Sequence, residues 1–514
     1  MRVLYFDIDT LRPDHLSCYG YERETSPNID RICREAVRFD NCYVSDAPCL
    51  PSRAASWMGR FGIHTGVVNH GGARADPFPE GADRFFFQRG ARMGLAMVLR
   101  VAGLHTVSFS PFAERHAAWW FYAGFREMHN TGKIGSERAD EIVPPALDWL
   151  DKRGHEDNWF LHVNVWDPHT TFRTPMEYGE PFENEDPPAF PPEELIRHHY
   201  NSYGPHSAQE TAGYTDDEKE AFPRDISRIK NRKDFTKWIN GYDTGIRYAD
   251  EWFGKLLSKL EEKGVLKDTV IVITSDHGEN HGELGVYGDH HTADHITCRV
   301  PYILRIPGLI DNGRVDKGLH YQADLSATLL ELLGARVPSL WDGKSFAETF
   351  KQGREEGREE LVISNNAWSC QRGVVWDNWL AIRTYHTGFK AFPEYMLFDL
   401  KTDPHETTNL ARANPDIVAE GMKRLESWTT DMLRSSEQTV DPMWTVVSEG
   451  GPFHANENSP VFEAYLERLR RTNRSFYADW LAENKGKPIP AGSRWAAALE
   501  PDQEPLTEPY NPET

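Results

Sequence analysis

The stretch Thr269-Val-Ile-Val-Ile-Thr-Ser-Asp-His-Gly-Glu279 decides how this chain is read. Thr269 to Thr274 are all β-branched, and a run of that length and content is a core strand. It stops at Ser275-Asp276-His277, so a carboxylate and an imidazole ride at the strand's end. Val3 to Ile8 reads the same way, as a buried parallel-type strand closing on Asp7-Ile-Asp9. Strand alternation puts Asp7 and Asp9 on one face, so either is placed to hold a hard cation. Trp159 to Trp166 is a third such strand and ends in Asp167-Pro-His169. In open α/β sheets, ligand-binding residues gather at the carboxyl ends of strands. Helical apolar spacing fills the intervals. Asp234 to Glu262 is a long amphipathic helix stopped by Gly264, and Ala139 to Arg153 a second, with Pro144 and Pro145 predicting that its regular part begins only there. The expected fold is α/β, a large, mixed but mostly parallel sheet flanked by helices.

At 514 residues the chain exceeds one small core. We expect a catalytic α/β domain over 1–360, a small α+β subdomain with a short antiparallel sheet over 361–435, and a C-terminal extension over 436–514. Residues 173–232 are acidic, Pro-rich and without period, which reads as an excursion over the sheet edge near the active site. A net charge of -22 argues against nucleic acid or an anionic membrane as partner. The 6 cysteines are sparse and irregular, unlike a disulfide framework. The apolar run after Met1 is too short for a signal peptide, and no later stretch would span a bilayer. A cytoplasmic protein is the expectation.

Asp46-Ala-Pro-Cys-Leu-Pro-Ser-Arg53 supplies the chemistry. Two prolines fix the backbone around Cys49, and Ser52 is suited to cap a helix through Ala54, Ala55 and Met58. Cys49 would then stand at the positive end of a helix, with Arg53 able to fork onto a tetrahedral oxyanion. A small buried cysteine in a Pro-rich turn is the plain alternative.

The order Cys-x-Pro-Ser-Arg resembles the signature of the type I sulfatases, of the alkaline phosphatase-like superfamily. Four further stretches are similar to that family in order and spacing: Asp9 to Gly20, Asp167-Pro-His169, Asp276-His277-Gly278, and Leu397 to Ala411 with its small-domain pattern. Gly59-Arg-x-x-x-x-Thr-Gly66 continues the signature, and the likeness covers roughly residues 1 to 435. The resemblance implies a sulfuric ester hydrolase in which a formylglycine-generating enzyme converts Cys49 to formylglycine. Asp9, Asp276, His277 and position 49 would hold Ca²⁺, with Mn²⁺ the other choice. The hydrated aldehyde would attack sulfur beside Arg53, His169 would protonate the leaving oxygen, and the second hydroxyl would expel sulfate.

The chain also departs from the family pattern. Thr10 stands where many members carry a second aspartate. The strand His105 to Phe109 runs into Ser110-Pro-Phe-Ala-Glu-Arg-His116, where many have Gly-Lys-Trp-His, so Arg115 or His116 is the expected substitute. Gly288-Asp-His-His291 replaces Gly-Lys-His, leaving His290 or His291 to carry the charge and making turnover pH-dependent. The neighbouring His281, His290, His291 and His295 raise zinc as the second choice of metal. Asn69 and His70, just before a Gly-Gly pair, could line the same pocket, with surface loop polars the plainer reading. The expected substrate is a small or oligomeric sulfated saccharide. The alternatives are a phosphonate monoester or phosphodiester hydrolase on the same scaffold, and a catalytically silent carbohydrate-binding relative. The extension is a candidate oligomer contact.

Overall fold

The computed structural model describes residues 1–80, 89–202, 204–218, 220–309, 313–438 and 440–490. Eight of the described strands form one sheet, in the order Arg314–Tyr321, Val37–Tyr43, Arg299–Arg305, Thr269–Thr274, Arg2–Ile8, Trp159–Val165, His105–Phe109, Glu127–His129. Arg2–Ile8 pairs in parallel with both Trp159–Val165 and Thr269–Thr274, which puts the three acid-bearing strand ends side by side. Arg299–Arg305 runs antiparallel to its two neighbours, so the sheet is mixed but mostly parallel, as expected. Thr269–Thr274 and Trp159–Val165 are buried along their whole length. That explains why the apolar runs do not alternate: helices cover both faces. Arg232–Glu262 packs on Ala139–Arg153 across one face. Among the described residues, no helix is long and apolar enough to cross a membrane.

A second sheet of five strands runs Tyr395–Asp399, Trp379–His386, Cys370–Trp376, Glu360–Asn365, Asp46–Ala47. Four strands are antiparallel neighbours from the C-terminal part of the chain, and the fifth is the dipeptide just before Pro48. Ser364 and Asn365 pair in parallel with Asp46 and Ala47. The small sheet therefore grips the backbone that delivers Cys49.

Several elements differ from the sequence reading. The helix carrying Cys49 spans Cys49–Met58 and begins before Ser52. Pro51 falls in its first turn, where a missing N–H costs nothing because those amides lack intrahelical partners. The Ser52 hydroxyl donates instead to the Asp276 carbonyl. Pro144 and Pro145 lie inside one continuous helix, Ala139–Arg153. Its buried face, Ile142, Val143, Ala146 and Leu150, holds the first turns against the sheet, and packing outweighs local propensity there. The hairpin joining Cys370–Trp376 to Trp379–His386 turns at Asp377 and Asn378. Within 173–232, Glu193–Asn201 is helical and buries Leu195, Ile196 and His199.

Of the C-terminal extension, residues 491–514 lie outside the described residues. The remainder folds as Pro442–Ser448, Pro460–Arg471 and Ser475–Asn484. Phe462, Tyr465, Leu466, Leu469 and Leu481 form a satellite core with Trp368 and Phe389 of the same chain.

Candidate functional site

Three strand ends and one helix start converge on Arg53. Its guanidinium donates to Asp7 at 2.9 Å, to Asp9 at 3.0 Å and to Asp276. It also lies over the rings of Phe112 and Trp166, at 4.9 and 5.6 Å. A buried cation beside three carboxylates satisfies the rule that interior charge is paired. Cys49 Sγ sits 3.1 Å from His277 Nε2. Asp9, Cys49, Asp276 and His277 each offer a donor atom, and these four atoms lie within 4.8 Å of one another. Both strand-end carboxylates meet Arg53, and only Asp9 is in this set.

The surrounding backbone is fixed by hydrogen bonds. The Ser275 hydroxyl accepts from the Leu11 amide at 2.9 Å and donates to the His277 carbonyl at 2.8 Å. Thr10 has a left-handed φ of 58°, unusual for a β-branched residue. Tyr242 holds it there by donating to the Thr10 carbonyl and accepting from the Arg12 amide. Thr10 thus turns the chain at the site, and its amide donates to Asp276 at 3.3 Å.

The electrostatics follow from burial. Asp9 is fully buried, and burial together with Asp276 lifts its carboxyl to about 6, with Arg53 opposing. Burial, then Asp9 and Asp276, push the Cys49 thiol well up, so an unmodified Cys49 is a neutral thiol and a poor nucleophile. Asp9 Oδ1 is buried with no hydrogen-bond partner. That orphaned oxygen, the Asp276 carboxylate, the Cys49 sulfur and one imidazole make a donor set that fits a borderline divalent cation.

His169 Nε2 stands 4.0 Å from Asp9 Oδ1, and its ring meets the Thr170 carbonyl through Nδ1. Burial, Arg115 and Arg173 hold it well below the usual histidine range. Asp167 points elsewhere. Its carboxylate accepts from the Ala139 amide at 3.0 Å and caps that helix, with burial raising it to about 7.

The structure divides the remaining histidines. His290 faces the centre, its ring 4.1 Å from that of His277. His291 does not: it stacks on Trp368 at 4.2 Å and meets Asp289. Burial and the neighbouring His277 (for His290) or His206 (for His291) press both well below the usual range, which opposes the charge expected of them. His116 is neutral too, through burial and Arg115, and its ring lies 5.1 Å from His70. Arg115 is the cation on this flank. It lies over Trp166 at 4.9 Å, and its charge is felt by Asp9, Cys49 and His169. His281 packs on Tyr242 and His295 bonds Tyr43, so the four-histidine zinc cluster is not assembled.

Asn69 and His70, for which the sequence allowed either a pocket or a surface-loop role, lie at the site. Asn69 is buried, and His70 Nε2 lies 3.5 Å from the Leu50 amide. His70 Nδ1 meets His454 of the C-terminal extension at 2.9 Å. No sequence signal marked His454, since its partners lie hundreds of positions away. A separate apolar cleft, walled by Phe190, Leu195, Phe392 and Met396, includes none of the Cys49 residues.

The large mixed sheet with helices on both faces and the smaller antiparallel sheet are the architecture of the alkaline phosphatase-like fold. The sulfatase family model matches residues 2–335, and a model for the C-terminal part of N-sulphoglucosamine sulphohydrolase matches 282–431. The chain belongs to the sulfatase family and is a sulfuric ester hydrolase. It is 25% identical over 490 residues to a multifunctional alkaline phosphatase superfamily protein, PehA, of Trinickia caryophylli, covering 78% of this chain and 89% of that one. An N-acetylglucosamine-6-O-sulfatase of Bacteroides thetaiotaomicron is 23% identical over 475 residues, covering 79% and 82%. Among solved structures, one in complex with its substrate D-glucosamine-2-N,6-O-disulfate superposes with a TM-score of 0.67 at 20% identity, covering 86% and 99%. The phosphonate monoester hydrolase of Agrobacterium radiobacter superposes at 0.63 and 20%, covering 84% and 96%.

Proposed function

We propose that this enzyme hydrolyses the sulfate ester of a small or oligomeric saccharide, with Cys49 converted to formylglycine and a divalent cation, Ca²⁺ or Mn²⁺, held by Asp9, Asp276, His277 and position 49. The observation that carries this reading is the convergence, within 4.8 Å, of four donor atoms from three distant parts of the chain, with Arg53 against two of the carboxylates. The saccharide is supported by the N-acetylglucosamine-6-O-sulfatase relative. When present, the cation would neutralise sulfate oxygens and the hydrated aldehyde would supply the attacking hydroxyl.

The chain's own groups account for the rest. Arg53 is fixed by carboxylates and two rings, so its orientation costs nothing when the tetrahedral anion arrives. Arg115 presents a second cation from the Trp166 side and takes the place of the missing lysine. His169 is neutral with Nδ1 directed at a carbonyl, so Nε2 is the atom left to face the ester. An incoming sulfate offsets Arg115 and Arg173 and favours a proton on that nitrogen, which His169 then gives to the leaving alcohol. Asp276, beside position 49, is placed to receive the proton of the attacking hydroxyl.

The test has two parts. Mass analysis of the peptide containing Cys49 should show the loss that replaces a thiol by an aldehyde, and an unmodified cysteine in active enzyme would overturn the nucleophile. Parallel turnover of aryl sulfate, aryl phosphonate and a panel of sulfated saccharides should favour sulfate. A preference for the phosphonate ester would move the reading to the phosphonate hydrolases that share the fold.

A further inference from the structure

A second group of ligand-type side chains lies outside the Cys49 centre and joins two parts of the chain. We propose that His206, Asp289 and His291 form a second divalent-cation site, of zinc type, that ties the 173–232 segment to the wall of the catalytic pocket. The three residues offer one donor atom each, all within 4.8 Å. His206 Nε2 is 3.1 Å from Asp289 Oδ2, and His291 Nε2 is 3.7 Å from Asp289 Oδ1. Nitrogen and oxygen ligands about 2.1 Å from a tetrahedral ion stand about 3.4 Å apart, so these separations bracket what a bound ion requires. His291 Nε2 is buried with no hydrogen-bond partner, an arrangement that a ligand would satisfy.

The scaffold holds the donors in place. The Trp368 ring stacks on His291 at 4.2 Å and 18°, fixing its orientation. The His206 amide donates to the Gly213 carbonyl at 3.0 Å, and its own carbonyl accepts from the Tyr287 amide at 2.8 Å. That second bond sets His206 beside the short strand Tyr287–Asp289. The Asp289 carboxylate also accepts from the His290 amide at 2.7 Å, the supporting contact that orients ligating carboxylates. Burial keeps His291 in the neutral form that binds metal. The cation near this cluster, Lys390, is anchored on the Gly285 carbonyl at 3.1 Å, and burial draws it down to about 8. Two imidazoles and one carboxylate suit zinc and not calcium, whose ligands are oxygens. None of the three residues belongs to the Asp9, Cys49, Asp276, His277 set, so this site stands apart from the hydrolytic reading.

The experiment uses the full-length enzyme, stripped with chelator, reloaded in excess Ca²⁺, incubated with a small molar excess of Zn²⁺ and desalted before elemental analysis. One zinc per chain is expected in the unsubstituted enzyme and in Asp276→Asn, and none in Asp289→Asn or His206→Gln. Circular dichroism confirms the fold of each variant, and His206→Gln, at a half-buried position, serves if Asp289→Asn does not fold. No zinc in the unsubstituted enzyme, equal zinc in His206→Gln, or loss of zinc in folded Asp276→Asn would each overturn the site. Zinc should also slow tryptic cleavage within 173–232 in the unsubstituted enzyme and not in His206→Gln; cleavage unchanged by zinc would overturn the tethering role.

Discussion

The two flanks of Cys49 solve the cost of burial differently. On one side, Arg53, Asp7, Asp9 and Asp276 are all charged-type groups packed against each other with almost no exposure. On the other, His70, His116, His290 and His454 are imidazoles pressed toward neutrality by burial. The first flank is organised for fixed electrostatics, and the second for adaptable hydrogen bonding that titrates only in acid.

The comparison breaks most sharply at Arg53. Arg53→Ala should lower kcat/KM by about 10³-fold. It should also destabilise by about 3–5 kcal/mol in urea unfolding, because three buried carboxylates lose their cation. A mild effect on both would show that the charged flank is not preorganised. His169→Gln should lower kcat by about 10²-fold with little change in KM, and the loss should shrink for aryl esters with acidic leaving groups. Equal losses across leaving groups would remove His169 from the proton transfer. Arg115→Ala should raise KM by about 10-fold, as expected for one charge-assisted contact to an anion. An unchanged KM would place the substitute for the missing lysine elsewhere.

Two smaller effects concern protons. Asp9 is lifted to about 6 by burial and Asp276, so calcium binding should weaken as pH falls through about 6 and release a proton there. Calorimetry in buffers of different ionisation enthalpy reads that proton. For the imidazole flank the sign is opposite to that of a salt-bridged histidine. His454 is pulled down to about 4 by burial, below its unfolded value, so the unfolded state binds the proton first. Its contribution is present above about pH 6.5 and lost between about 6.5 and 4. The melting temperature should drop across that window, and His454→Gln should flatten the drop by about 2 °C. A pH-independent melting temperature would mean that these imidazoles are solvated.

What was legible in the sequence was the part encoded by contiguous residues. Apolar strands closing on Asp7-Ile-Asp9 and on Asp276-His277 marked where candidate donors gather, because a strand's end fixes where its next side chains project; the choice of Asp9 over Asp7 came from the family resemblance. Arg53 was legible from its spacing to Cys49. The start of the Cys49 helix was not, because Ser52 looked like a cap while its hydroxyl had a better partner in the Asp276 carbonyl. The charge states of His116, His290 and His291 were also hidden, since they depend on burial and neighbours that no local pattern records. His454 shows the limit most plainly: it reaches His70 only because the extension's apolar residues pack around Trp368 and Phe389.

The pairing of Ser364 and Asn365 with Asp46 and Ala47 sets an order of events. Cys49 is only 2% exposed beneath that clasp, and the clasp is built from residues synthesised long after it. Any outside catalyst that rewrites this side chain has to reach it while the downstream half is still unmade or unfolded. Maturation would therefore be a race against the ribosome and the closing sheet, and a chain that wins the fold too early would keep its thiol.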